Sequence, residues 1–155
     1  MSNTVIILDY GSQFTQLIAR RVRELNVYCE ILPFDAPVGD ILQREPKAVI
    51  LSGGPASVMQ DDAPPLSPAL LDLGVPILGI CYGLQVLTRT LGGIVRPSDR
   101  REYGRASIEI SAKTGIFAQL EADTAQVWMS HGDHVAQPAS GFEVIARTGD
   151  GVIAA

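Results

Sequence analysis

The chain has 155 residues, 46% of them hydrophobic and 19% charged, with a net charge of −5. That length suits one domain with one core, no apolar run approaches the roughly 18 residues a membrane span needs, and the first ten residues lack the basic start and cleavage pattern of a secretory signal. The acidic balance argues against nucleic acid as a partner, and two cysteines and two histidines give neither a disulfide framework nor a metal cluster, which together point to a cytoplasmic protein without membrane or metal.

Val5 to Leu8 is a continuous aliphatic run of the kind expected for a strand covered on both faces, and Asp9-Tyr10-Gly11-Ser12 is the loop at its carboxyl end. Phe14, Leu17, Ile18, Val22 and Leu25 then recur at helical spacing as one apolar stripe, with Arg20, Arg21 and Arg23 read as a solvated face and Asn26 as the stop. Val27 to Leu32 predicts a second strand, Ile41-Leu42 a short helix, and Ala48 to Leu51 a third strand. This alternation is the grammar of a parallel sheet. Cys29 falls inside the second strand, where a buried structural thiol is the expectation.

Ser52-Gly53-Gly54-Pro55 follows the third strand directly, at the end of the sheet where open α/β folds place ligands. Its adjacent glycines suit either an oxyanion hole or an ordinary turn. Met59 to Pro65 is a polar, proline-containing loop, and Ser67-Pro68 predicts a helix start before Leu70-Leu71.

The next stretch organises the chain. Val75 to Ile80 reads as a buried strand that ends at Cys81, and Tyr82 to Leu91 as a helix closed by Gly92-Gly93. Gly79-Ile80-Cys81-Tyr82-Gly83 is the cysteine form of a nucleophile elbow, in which a reactive side chain stands on a strained turn at the end of a central strand. The glycines let strand and helix approach closely, and the helix N-terminus favours the thiolate over the thiol. A cysteine at a strand end is more often inert core; the flanking glycines and the corner reverse that preference.

Beyond Gly93 the pattern becomes short and partly alternating. Ile94-Val95, Ser107 to Ile110, Gln126 to Met129 and Phe142 to Ala146 predict antiparallel strands packed on the end or edge of the sheet. Ser130-His131-Gly132-Asp133-His134 is the most polar cluster of this half. Either histidine is a candidate base for Cys81 with an aspartate orienter, although a histidine in a polar loop is more commonly just solvated.

The set Asp9-Tyr10-Gly11-Ser12-Gln13, Ser52 to Pro55, Gly79 to Gln85 and Trp128 to Asp133 resembles the class I (triad) glutamine amidotransferases, in the branch found in GMP synthases, over essentially the whole chain, residues 1–155. The resemblance implies a three-layer, flavodoxin-like α/β fold: an open parallel sheet with helices on both faces and an antiparallel strand extension. It implies Cys81 as the nucleophile toward the side-chain amide of glutamine, the backbone amides of Gly53 and Tyr82 as the oxyanion hole, and Gln85, Ser130, Gly132 and Asp133 as the residues that hold glutamine. In this family neither His131 nor His134 is the base. The catalytic histidine and its glutamate lie in a Q-F-H-P-E segment absent from these 155 residues, toward which Gly151 to Ala155 reads as the approaching strand.

By the same resemblance the domain needs no cofactor of its own. Ammonia passes to a synthetase domain or subunit that uses ATP and Mg2+ to aminate XMP to GMP and through which the protein would form any homo-oligomer. A related α/β cysteine hydrolase and a non-catalytic interaction module are the alternatives.

Overall fold

A computed structural model describes residues 3–155, with only the backbone described at 99–103 and 131. The chain divides into two compact units, Met1–Thr90 and Leu91–Ala155, each with a core of its own.

In the first unit, β1 (Thr4–Asp9), β2 (Tyr28–Pro33), β3 (Ala48–Leu51) and β4 (Ile77–Gly79) form a parallel sheet in the order β2-β1-β3-β4, flanked by helices. This is the expected α/β architecture, and the aliphatic runs explain it. Side chains alternate across a strand, so Ile7, Cys29, Ile31 and Ile50 meet α1 (Thr15–Glu24) through Ala19, Ile18 and Val22. Ile6, Leu8, Val49 and Leu51 point to the opposite face, where each is fully buried. α1 ends at Asn26, whose positive φ of 59° lets Asn26 N–H reach Arg23 O and Val27 N–H reach Val22 O, a Schellman closure. Arg20 and Arg21 pair with Glu24 on the exposed side.

Three expectations for this unit are corrected. Of the predicted stripe of α1, Ile18 and Val22 pack on the sheet beside the buried Thr15 and Ala19, whereas Phe14, Leu17 and Leu25 are exposed, so the contact face is centred on the small residues. The helix predicted after Ser67 is a 3₁₀ helix, Pro68–Leu73, closed by Gly74 with φ 68°. The strand predicted at Val75 to Ile80 shortens to β4 and lies at the edge of the sheet among the described residues, so Leu78 remains 36% exposed. Pro76 lacks an N–H and contributes only its carbonyl, which accepts from Val49 N–H at 2.9 Å.

The second unit is antiparallel, as expected, but built from fewer and longer strands. β5 (Ile94–Ile110) and β6 (Thr124–Gln137) form one long hairpin, and β7 (Ala146–Thr148) pairs on the other side of β5. Ile108, Ile110, Phe117 and Ala146 make its core. The last residues fold back on β7, with Ala155 O accepting from Ile145 N–H and Ala146 N–H. Among the described residues no helix is long and apolar enough to cross a membrane.

Candidate active site

Three loops at the carboxyl ends of β1, β3 and β4 build the site in the first unit. Cys81 connects β4 to α3 (Tyr82–Thr90) with φ +50°, one of three non-glycine residues in the left-handed region among the described residues. A side chain pays roughly 1–2 kcal/mol to sit there, so the surrounding contacts have to hold it. They do so at backbone level. Ile80 N–H donates to Leu51 O at 3.0 Å, Gly83 N–H to Ile80 O at 2.9 Å and Ser52 O at 3.1 Å, and Gln85 N–H to Cys81 O at 3.1 Å.

The two elbow glycines are required by distance. A Cβ at Gly83 would lie 2.3 Å from Leu51 O, and one at Gly79 would lie 2.6 Å from the Leu84 backbone. α3 can therefore sit directly against β3 and β4 only if both positions lack side chains.

The β3 loop approaches from the other side. A Cβ on Gly53 would lie 3.4 Å from Cys81 Cβ, and one on Gly54 would lie 2.3 Å from Tyr10 O. Ser52 is completely buried. Its Oγ accepts from Tyr10 N–H at 2.9 Å and donates to Gly53 O at 2.8 Å, tying the loops after β1 and β3 together. Gly53 and Tyr82 thus flank Cys81. Tyr82 N–H belongs to the first turn of α3, where helix amides have no intrahelical acceptor.

The Tyr82 ring is buried against Tyr10, with centroids 5.3 Å apart, and its hydroxyl donates to Pro64 O at 2.6 Å. Tyr10 stacks on Phe34 and donates to Pro65 O. These two tyrosines, with Val58 and Leu66 buried, pin the irregular segment 55–66 to the elbow. Nothing in the sequence pattern marked that anchoring, since an aromatic beside a nucleophile is not periodic with anything. Burial raises the pKa of both phenols, helped at Tyr10 by the Tyr82 charge and opposed at Tyr82 by Arg89.

Electrostatics corrects one expectation. Burial pushes the Cys81 thiol above the ordinary cysteine value, the direction opposite to the one expected from the helix N-terminus.

Gln85, four residues beyond Cys81 on α3, is buried. Cys81, Gly53, Tyr82 and Gln85 are therefore all in the first unit. Ser130, Gly132 and Asp133 belong to the second, and they sit within β6 instead of in the expected loop. Ser130 pairs with Tyr103 and Asp133 with Pro97, with an irregularity in β5 between Pro97 and Glu102. The polar composition that suggested a loop is accommodated as a bulged strand. Asp133 is buried, and His134 is half-buried with its Nδ1 atom lacking a hydrogen-bond partner among the described residues. The His131 side chain, the other candidate base, lies outside the described residues.

The family model described as "Glutamine amidotransferase class-I" matches residues 6–155. The chain belongs to the class I glutamine amidotransferases.

Among curated relatives, this amidotransferase chain is 54% identical over 153 residues to GMP synthase [glutamine-hydrolyzing] from Thermomicrobium roseum, covering 99% of this chain and 29% of that protein. It is 49% identical over 151 residues to the Corynebacterium jeikeium GMP synthase, covering 97% of this chain and 28% of that one. The chain thus spans less than a third of the relatives it matches. Two solved structures share the fold. A candidate GMP synthase subunit from Thermoplasma acidophilum superposes with a TM-score of 0.82 at 24% identity, covering 99% of this chain and 76% of that one. A glutamine amidotransferase from Thermotoga maritima gives 0.74 at 21% identity, covering 99% and 70%.

Proposed function

We propose that this chain is the glutamine-hydrolysing part of a GMP synthase. The observation that carries the reading is Cys81, held in left-handed backbone between Gly53 and Tyr82 in a chain about half identical to GMP synthases. The Cys81 sulfur attacks the side-chain amide carbon of glutamine, and the carbonyl electron pair moves onto oxygen, facing the amides of Gly53 and Tyr82. Collapse of this intermediate breaks the C–N bond, the nitrogen takes up a proton and leaves as ammonia, and a glutamyl thioester remains. Water then adds to the thioester, the C–S bond breaks, and glutamate and the thiol are released.

Because burial raises the Cys81 pKa, the first step needs a base to remove the thiol proton. In our reading that base is the histidine of a Q-F-H-P-E segment, oriented by its glutamate, while Gln85, Ser130, Gly132 and Asp133 hold the substrate. Ammonia goes to a synthetase domain or subunit that uses ATP and Mg2+ to aminate XMP.

The test is ammonia release by the 155-residue chain and by a chimera extended with the corresponding downstream segment of the Thermomicrobium roseum GMP synthase. Positioned acid–base groups supply about 10² to 10⁴ in rate, so turnover is expected in the chimera, retained in part after His131→Ala or His134→Ala, and near background in the short chain. Robust turnover by the short chain that disappears with His131→Ala would overturn the assignment of the base.

A further inference from the structure

The loop after β1 contributes a side chain that neither the elbow nor the glycine loop accounts for. Ser12 follows Gly11, whose φ of +93° turns the chain so closely over the β3 loop that a Cβ there would lie 3.4 Å from Pro55 Cδ. The turn is fixed from below. Asp9 Oδ1 accepts from Gly11 N–H at 2.9 Å and from the Thr15 hydroxyl at 2.8 Å, while Thr15, itself buried, donates through its N–H to Ser12 O at 3.3 Å.

This arrangement brings Ser12 Oγ to the side of Gly53 that faces the nucleophile. A single carbon placed on Gly53 would be 3.7 Å from Ser12 Oγ and 3.4 Å from Cys81 Cβ. A hydroxyl is one donor and two acceptors. Phe14 N–H, at 3.0 Å, occupies an acceptor site on Ser12 Oγ and leaves its proton for another partner.

We propose that Ser12 is a substrate-facing donor of the Cys81 site, its hydroxyl joining the backbone amides of Gly53 and Tyr82 around the amide carbonyl under attack. This rests on the reading of Cys81 as the nucleophile toward glutamine. A side-chain donor here complements the two amides, because the loops after β1, β3 and β4 then each supply one group at the carboxyl ends of neighbouring strands, where open α/β sheets assemble ligand sites. The hydroxyl is preorganised by Phe14 N–H and by the Asp9–Thr15 pair, so it need not be reoriented as charge develops on the carbonyl oxygen.

Two reagents separate this role from a structural one. The chloroketone analogue of glutamine alkylates Cys81 with formation of an S–C bond and departure of chloride, and its ketone oxygen takes the place of the amide oxygen. Methyl methanethiosulfonate reacts with the same sulfur by disulfide formation, releasing methanesulfinate, and has no carbonyl to bind. Ser12→Ala and Ser12→Gly are expected to slow chloroketone labelling of Cys81 by about tenfold, less than the roughly 10² to 10³ that losing an oxyanion-hole donor costs in turnover, with the thiosulfonate rate little changed and Ser12→Thr restoring most of the loss.

Equal chloroketone rates in Ser12→Ala and the unsubstituted protein would overturn the role of Ser12 alone. Slowing of both reagents by the same factor, or a Ser12→Thr variant as slow as Ser12→Ala, would make Ser12 only a shaper of the turn and also overturn it. Failure of the chloroketone to prefer Cys81 in the unsubstituted protein, while the thiosulfonate still reaches it, would instead remove the glutamine reading on which the inference stands.

Discussion

Cys29 and Cys81 arise from strands of the same parallel sheet and differ in nearly everything that governs a thiol. Cys29 lies within β2, 1% exposed, packed with Ile7 and Ala19, and its Sγ donates to Ala19 O at 3.5 Å. Cys81 lies just past the three-residue β4, half-buried, in backbone that side chains avoid. The comparison teaches that a strand interior satisfies and hides a sulfur, whereas a strand end can aim one. The cost is local strain and partial desolvation, which the glycine contacts to Leu51 and Leu84 make tolerable.

The largest expected effect is in labelling. A small thiol reagent should modify Cys81 faster than Cys29 by on the order of 10³ or more, because reaching Cys29 requires opening the sheet against α1. The Cys81 rate should climb with pH through a midpoint above that of a free cysteine, since burial opposes the thiolate. By linkage, a thiol whose pKa is raised on folding contributes stability that is present at lower pH and lost as pH rises through the folded value; Cys81→Ser should flatten that alkaline loss. Peptide mapping that finds Cys29 labelled first would erase the contrast.

Gly83→Val sharpens the comparison from the other side. With a Cβ at 2.3 Å from Leu51 O, overpacking should destabilise the first unit by about 1–3 kcal/mol in urea unfolding and abolish selective labelling of Cys81. Unchanged stability would show that α3 can shift away from β3 at little cost.

The smallest effect is expected at the buried thiol. Cys29→Ala should cost about 1 kcal/mol, the typical penalty of a small core truncation, and leave Cys81 labelling rates as they were. A change at Cys81 would mean that the two positions are coupled through β1 and β3.

Much of this was readable in advance where composition follows geometry. β1 and β3 are aliphatic because both faces of the sheet are covered there, and the glycines at 79 and 83 stand where backbone meets backbone. The signal fades where residue type and role part company. α1 buries Thr15 and Ala19 in place of Phe14 and Leu17, so its apolar stripe points slightly away from its true contact face. β5 and β6 run through Arg96, Ser98, Ser130 and Asp133 without alternation, since backbone pairing across the hairpin carries the strands past residues with no apolar side to show. Within the candidate site, spacing marks Cys81 and Gly53, whereas no pattern marks Ser12, whose proposed role depends on a neighbour 41 residues away in sequence that contributes no side chain at all.

The placement of the aromatic residues gives each unit its own optical signature. Trp128, the single tryptophan, is on β6 and 65% exposed, so its fluorescence reports the second unit from a solvated position. Tyr10 and Tyr82 are buried in the first unit, with Tyr10 stacked on the half-buried Phe34, an asymmetric setting that makes their near-ultraviolet circular dichroism a readout of the elbow. A thermal melt followed in both channels therefore reads the two units separately without any added label, and the gap between the two midpoints measures how far each stands on its own.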